Sequence, residues 1–210
     1  MLGISDFSLF IGAVMLLNIT PGPDMAFIVG QTVARGKRAG VLAALGATVG
    51  GGVHTLACAF GLSALIAASP MAFTVIKWLG ALYLVYIGIQ TLREARRTVV
   101  VSDAGHPAVR PGSLLARGFV TNVTNPKVFL FYIAFLPQFI DPESSHKTAA
   151  LLMLGATLVA LGFVTDCAVV GTAAKASKLL GKSRAASRRL KQVVGVGFIG
   201  LGLRLAAVTR

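Results

Sequence analysis

Long apolar runs alternate along this chain with short polar stretches in which lysine and arginine predominate. A helix needs about 20 consecutive apolar residues to cross the hydrocarbon of a bilayer. Six runs qualify: roughly Phe7–Val33, Ala39–Ala68, Pro70–Leu92, Gly118–Ile140, Thr148–Ala174 and Val193–Val208. Lys77 is the single formal charge between Ala39 and Leu92, so that run holds two helices with Ser69-Pro70 as the turn between them. The pattern predicts an all-α integral membrane protein with six transmembrane helices. These fill residues 1–210 as one polytopic domain and leave no room for a soluble one. The N-terminal stretch lacks a basic n-region and a small-residue cleavage site, which reads as a first membrane helix rather than a signal peptide.

Two of the runs are interrupted in the same way. Asn18-Ile19-Thr20-Pro21-Gly22-Pro23-Asp24 lies in the first, and Asn122-Val123-Thr124-Asn125-Pro126-Lys127 lies in the fourth. Asn18 and Asn122, like Thr20 and Thr124, stand 104 positions apart in a chain of 210. Proline lacks an N–H and its ring clashes with the carbonyl four residues back. Pro21 and Pro23 therefore free the carbonyls of Leu17 and Ile19, and Pro126 frees that of Asn122. Within hydrocarbon, freed carbonyls are tolerated only where protein or a water-filled cavity receives them. Gly22 adds backbone freedom and lets another atom approach closely.

Each broken helix also restarts, and its free N–H groups and partial positive charge suit a carboxylate. The freed carbonyls suit an ammonium group. Matched interruptions of this kind point to the binding site of a transporter built from two repeats. The candidate substrate-binding set is Asn18, Thr20, Pro21, Gly22, Pro23 and Asp24 with Asn122, Thr124, Asn125, Pro126 and Lys127. The plain alternative is a pair of packing kinks.

Composition agrees with the membrane reading. Hydrophobic residues make up 55% and charged residues 13%, against about 25% charged in a soluble domain, and the mean hydropathy is +0.79. The formal net charge of +13 is concentrated in alternate loops. Lysine and arginine number 3, 0, 5, 1 and 7 in successive loops, beginning with Arg35, Lys37 and Arg38. By the positive-inside rule, loops one, three and five are cytoplasmic and both termini lie outside. The charge is thus a topology signal and excludes a nucleic-acid partner; the fifth loop also attracts anionic lipid. Three helices per half is an odd number, so the second half is inserted upside down. The repeats span 1–98 and 113–210, joined by a cytoplasmic linker at 99–112.

Ionisable groups inside a membrane are costly and mark function by default. Asp24 stands eleven positions from Arg35, Lys127 ten from Arg117, and Asp166 nine from Lys175. At ~1.5 Å per residue all three lie ~14–17 Å deep, in one layer near mid-bilayer. Asp24 paired with Lys127 would be a structural salt bridge. Asp166 lacks an obvious partner and is the first candidate for proton coupling, with Asp24 and His54 behind it. His54, beside Gly50-Gly51-Gly52, either relays protons or hydrogen-bonds across a helix contact. Cys58 and Cys167 read as small packing residues, with no disulfide and no metal site. Gly36, Gly40, Gly46 and Gly50 form small-xxx-small spacings that permit close helix approach. Leu45-Gly46-Ala47-Thr48 and Leu154-Gly155-Ala156-Thr157 are a fainter internal echo.

Several of these features together resemble the LysE/RhtB family of amino-acid exporters. They are Thr20-Pro21-Gly22-Pro23, the glycine series with His54, Gly61-Leu62-Ser63-Ala64-Leu65 and Lys77-x-x-Gly80-Ala81-x-Tyr83-Leu84 with Gly88. Asn125-Pro126-Lys127 and Phe135-Leu136-Pro137-Gln138-Phe139 complete the pattern, which runs through the whole chain in order. The resemblance implies export of amino acids or derivatives from the bacterial cytoplasm through the inner membrane, driven by the proton gradient. The Thr-Pro-Gly-Pro form is more similar to the RhtB-like branch, associated with homoserine, threonine and other neutral amino acids. No cofactor is implied, and a homo-oligomer is compatible with the pattern.

The expected mechanism places a zwitterion between helices one and four. Its carboxylate meets the backbone of residues 24–26 or 127–129, and its ammonium meets freed carbonyls with Asp24 or Asp166. The competing classes are an ion channel, an exporter of another small zwitterionic or cationic metabolite, and an intramembrane enzyme. Nothing resembles a filter loop, and no helix carries ligand-spaced His or carboxylate pairs.

Overall fold

In hydrocarbon a helix satisfies its own backbone, and the alanine, leucine and methionine that fill these runs lose little on becoming helical. A computed structural model of the chain describes residues 2–62, 110–141 and 143–179. It also describes isolated helical positions at Met71, Val75, Trp78, Leu82, Val85, Tyr86, Ile89, Arg93, Val196, Ile199, Gly200 and Leu203. The described helices are α1 (Phe7–Ile19), α2 (Pro23–Arg35), α3 (Lys37–Ala57), α4 (Pro111–Val123), α5 (Pro126–Ala134) and α6 (Lys147–Leu179). A π-turn at Cys58–Leu62 extends α3, and a 3-10 turn at Leu136–Phe139 follows α5.

These helices do not correspond one to one with the six predicted spans. Among the described residues two stretches, Lys37–Gly61 and Lys147–Lys175, are long and apolar enough to cross a bilayer alone. α1 and α2 meet at a 53° bend, and α4 meets α5 and its 3-10 turn at 51°; each bent pair passes the same test when taken together. The predicted third and sixth spans, Pro70–Leu92 and Val193–Val208, lie outside the described residues apart from the isolated positions above. So do the Ser69-Pro70 turn, Lys77 and Arg204.

Boundaries shift for local reasons. The predicted first loop shrinks to Gly36, whose φ of 84° only glycine adopts freely, so α2 turns directly into α3. α4 begins at Pro111, earlier than Gly118 and inside the predicted linker, because proline at the first helical position has its φ already set.

α3 is central, packed most heavily on α4 and then on α6 and α2. Its glycines bring the backbones together: a Cβ on Gly46 would overlap the Leu115 carbonyl, and one on Gly118 would overlap that of Ala43. Gly40 lies against Thr32 and Gly50 against Asn122, whereas Gly36 has open space around it. The predicted close approach therefore holds for Gly40, Gly46 and Gly50, while Gly36 serves the turn. Buried Phe10, Val14, Leu17, Phe131, Tyr132 and Leu154 join α1, α5 and α6. Ile28, Ala43, Ala47 and Val170 join α2, α3 and α6.

The outer surface is apolar too, with Val49, Leu56, Phe60, Leu82 and Val164 each more than half exposed. Lipid tails cover such side chains without the penalty that water would impose. The N-terminal segment is pinned to the turn after α5: Ser5 N donates to Phe139 O (2.8 Å) and Asp141 N to Gly3 O (2.8 Å).

Candidate functional site at two facing helix breaks

Both breaks are built the same way. α1 ends at Ile19, where Thr20 N donates to the carbonyls of Leu16 (3.1 Å) and Leu17 (3.2 Å) and Thr20 Oγ1 also donates to Leu16 O. The chain runs extended through Gly22 and restarts with Pro23 as the first residue of α2. α4 ends at Val123, where both the N–H (3.0 Å) and the Oγ1 (2.7 Å) of Thr124 reach Val120 O. α5 restarts with Pro126, capped by Asn125, whose Oδ1 accepts from Lys127 N at 3.0 Å. The matched threonines close the ends of two helices.

The second residue of each restarted helix reaches across to the other break. Lys127 Nζ, from α5, donates to Leu17 O (3.1 Å) and Thr20 O (3.0 Å) at the end of α1. Asp24, from α2, accepts at Oδ2 from Asn122 Nδ2 (2.8 Å) and Asn125 Nδ2 (3.0 Å). A cation at the carbonyl end of α1 and a carboxylate at the start of α2 both suit the helix dipoles. Asp24 and Lys127 thus make their hydrogen bonds to the two breaks rather than to each other, which sets aside the direct salt bridge.

The freed carbonyls of Leu17 and Asn122 have found partners. That of Leu17 is taken by Lys127, and that of Asn122 by Asn125 N (3.0 Å) and His54 Nε2 (3.2 Å). A carbonyl can only accept, so His54 carries its proton on Nε2 in this contact. The buried imidazole sits 5.5 Å from the Tyr132 ring centroid, and Tyr132 OH donates back to Gly51 O at 3.1 Å. His54 therefore braces the second break from behind, across a helix contact.

Between the breaks lies a cavity of ≈ 70 Å³, room for on the order of five waters. Of the predicted residues, Asn18, Thr20, Asp24, Asn122, Lys127 and Asp166 line it. The common depth predicted for Asp24, Lys127 and Asp166 corresponds to a common cavity. Pro21, Gly22, Pro23 and Pro126 shape the backbone outside its lining, and Thr124 is exposed. Asn125, 1% exposed, stands behind Asp24, and His54 stands behind Asn122.

The lining also includes residues absent from the sequence-based set: Met25, Thr48, Gly51, Leu158, Val159, Gly162 and Phe163. Four of them precede Asp166 by eight, seven, four and three positions, one stripe of a helix, so helical spacing from Asp166 was the signal that could have found them. Thr48 and Thr157 each donate to the carbonyl four residues back, Ala44 O (2.9 Å) and Met153 O (2.8 Å), but Thr48 alone of the two lines the cavity.

Among the described residues, three buried polar atoms at this place lack a hydrogen-bond partner: Asn18 Nδ2, Asp24 Oδ1 and Asn122 Oδ1. Each such group costs ~1–3 kcal/mol when left unpaired, and they persist mainly where a site requires them. Among the described residues no three His, Cys, Asp or Glu side chains are placed to hold a metal ion.

Apolar helices that bend around an internal charged cavity define the class of a multi-pass membrane translocator. The chain belongs to the LysE type translocator family, whose model matches residues 15–208. It is 28% identical over 206 residues to a leucine efflux protein of Salmonella typhimurium, covering 98% of this chain and 97% of that one. A leucine efflux protein of Enterobacter sp. is 29% identical over 207 residues, with 98% and 97% covered. An uncharacterized membrane protein of Pseudomonas aeruginosa is 29% identical over 211 residues, with 99% and 98% covered. No solved structure matches significantly.

Proposed function

We propose that this protein exports neutral amino acids or close derivatives from the cytoplasm across a bacterial inner membrane, in exchange for protons. One observation carries the reading: two helix breaks open on a single cavity holding Asp24, Lys127 and Asp166 beside unpaired polar atoms of Asn18, Asp24 and Asn122. A zwitterion offers the complementary charges and hydrogen bonds. Relatives named as leucine efflux proteins over nearly their full length support the substrate class. The substrates to test first are leucine, threonine and homoserine.

The architecture that goes with this function is two inverted three-helix repeats, 1–98 and 113–210. α1 with α2 and α4 with α5 are the broken first and fourth spans, which rock to expose the cavity to either side. Both termini lie outside; support comes from the N-terminal segment and the turn after α5, which are hydrogen-bonded to each other and so share one face, the turn's only lysine or arginine being Lys147 at its end. Asp166, which has no hydrogen bond or ion pair among the described residues, is the proton carrier. His54 is tied to the Asn122 carbonyl, which favours a bracing role over proton transfer.

The test is efflux of labelled leucine, threonine and homoserine from dipeptide-loaded cells, with and without the protein and with a protonophore. Saturable efflux that collapses with the proton gradient is expected. Flux proportional to concentration without saturation would favour a channel. If a wide amino-acid panel remains inside the cells, the export reading falls.

A further inference from the structure

Much of the hydrogen-bonding capacity left unused around the cavity falls into donors at the end of α1 and an acceptor pair on Asp24 and Asn122, with Asp166 as a further carboxylate that has no hydrogen bond among the described residues. An ammonium has three protons, and Lys127 commits two, to the carbonyls of Leu17 and Thr20. Asn18, next in the chain to Leu17, turns its amide to Gly162 of α6, with Oδ1 at 3.7 Å and the unpaired Nδ2 at 3.9 Å from where a Cβ on that glycine would stand. Both unused donors therefore gather at the end of α1. Asp24 commits only Oδ2, and its Oδ1 is buried and unpaired. Asn122, 8% exposed, donates its Nδ2 to Asp24; its own Oδ1, 2.8 Å from where a Cβ on Gly50 would stand, is unpaired among the described residues. These two unused acceptors are thus on hydrogen-bonded neighbours, whereas Asp166, the other carboxylate lining the cavity, comes from α6.

Resting on the export reading above, we propose that the cavity holds an aliphatic α-amino acid in one fixed orientation. Its carboxylate lies on Lys127 Nζ and Asn18 Nδ2. Its ammonium lies on Asp24 Oδ1 and Asn122 Oδ1, and its side chain enters the apolar stripe of Leu158, Val159 and Phe163. The carboxylate does not use the Lys127 N–H, which is already held by Asn125 Oδ1. Both charged ends must be free, so amides, esters and N-acyl derivatives are rejected. Asp166 is left outside the substrate's polar end and available to carry a proton.

The experiment is counterflow of labelled leucine in proteoliposomes of the full-length protein, with leucine, leucinamide and isocaproate as competitors. In the unaltered protein, loss of either charged end weakens competition about tenfold or more, the scale of a charged hydrogen bond. In Asn18→Ala the leucinamide penalty shrinks while the isocaproate penalty stays. In Asn122→Ala the reverse holds. Exchanged patterns, or penalties that neither variant alters, overturn the orientation while leaving export intact. If Asn122→Ala does not yield folded protein, Asn18→Ala decides alone, since a full leucinamide penalty there sinks the assignment. Counterflow of threonine without leucine overturns the aliphatic part. Absence of counterflow for leucine, threonine and homoserine alike in the unaltered protein is instead the failure of the export reading.

Discussion

His54 and Lys127 do comparable work at opposite breaks. Each supplies an N–H to a carbonyl that proline has released, and each comes from a different element than the break it holds. For His54 the role needs only a donor at the position of Nε2. Glutamine offers an amide N–H there and does not titrate. His54→Gln is therefore expected to retain most transport, whereas His54→Leu raises KM and lowers Tm, costing ~1 kcal/mol of stability. Transport kinetics and thermal unfolding in detergent check both. A His54→Gln variant that folds but loses gradient-driven transport while keeping exchange would return His54 to proton transfer. That Asp24, Lys127 and Asp166 would gather was legible by counting from the basic residues that flank their runs. Which carbonyl His54 would meet was not, because its partner lies 68 positions away and sequence spacing carries no information on that pairing.

At the scale of elements, the matched interruptions were readable because proline's missing N–H is a local fact. Their use was less so. Thr124 has the same spacing as Thr20, yet the former turns outward while Thr20 lines the cavity; what they share is the helix-closing hydrogen bond. Pro126→Ala would supply an N–H that competes for the Asn122 carbonyl and straightens the bend. We expect folded protein with transport reduced at least tenfold, measured as efflux at equal expression. Packing of α3 on α4 rests on glycine. Gly46→Ala and Gly118→Ala place a Cβ into backbone and are expected to cost ~1–3 kcal/mol. Gly12→Ala and Gly30→Ala meet nothing within 4 Å among the described residues and, in helices, are expected to be neutral or stabilising by up to ~1 kcal/mol. Thermal unfolding separates the two pairs.

At the scale of the molecule, hydropathy and charge alternation predicted a helical membrane protein, and the family agrees. The bends of 53° and 51° could not be read as angles, since side-chain packing sets them. Nor could the sequence say that residues from α1, α2, α3, α4, α5 and α6 would meet at one cavity, although equal depth for Asp24, Lys127 and Asp166 was the clue available. The central claim is that this cavity exchanges an amino acid for a proton, with Asp166 as the carrier. The most direct measurement compares Asp166→Asn with the unaltered protein in proteoliposomes, reading pH-gradient-driven uptake of labelled leucine and leucine counterflow side by side. Counterflow retained with gradient-driven uptake abolished is the expected result. Gradient-driven uptake undiminished in Asp166→Asn would contradict the account.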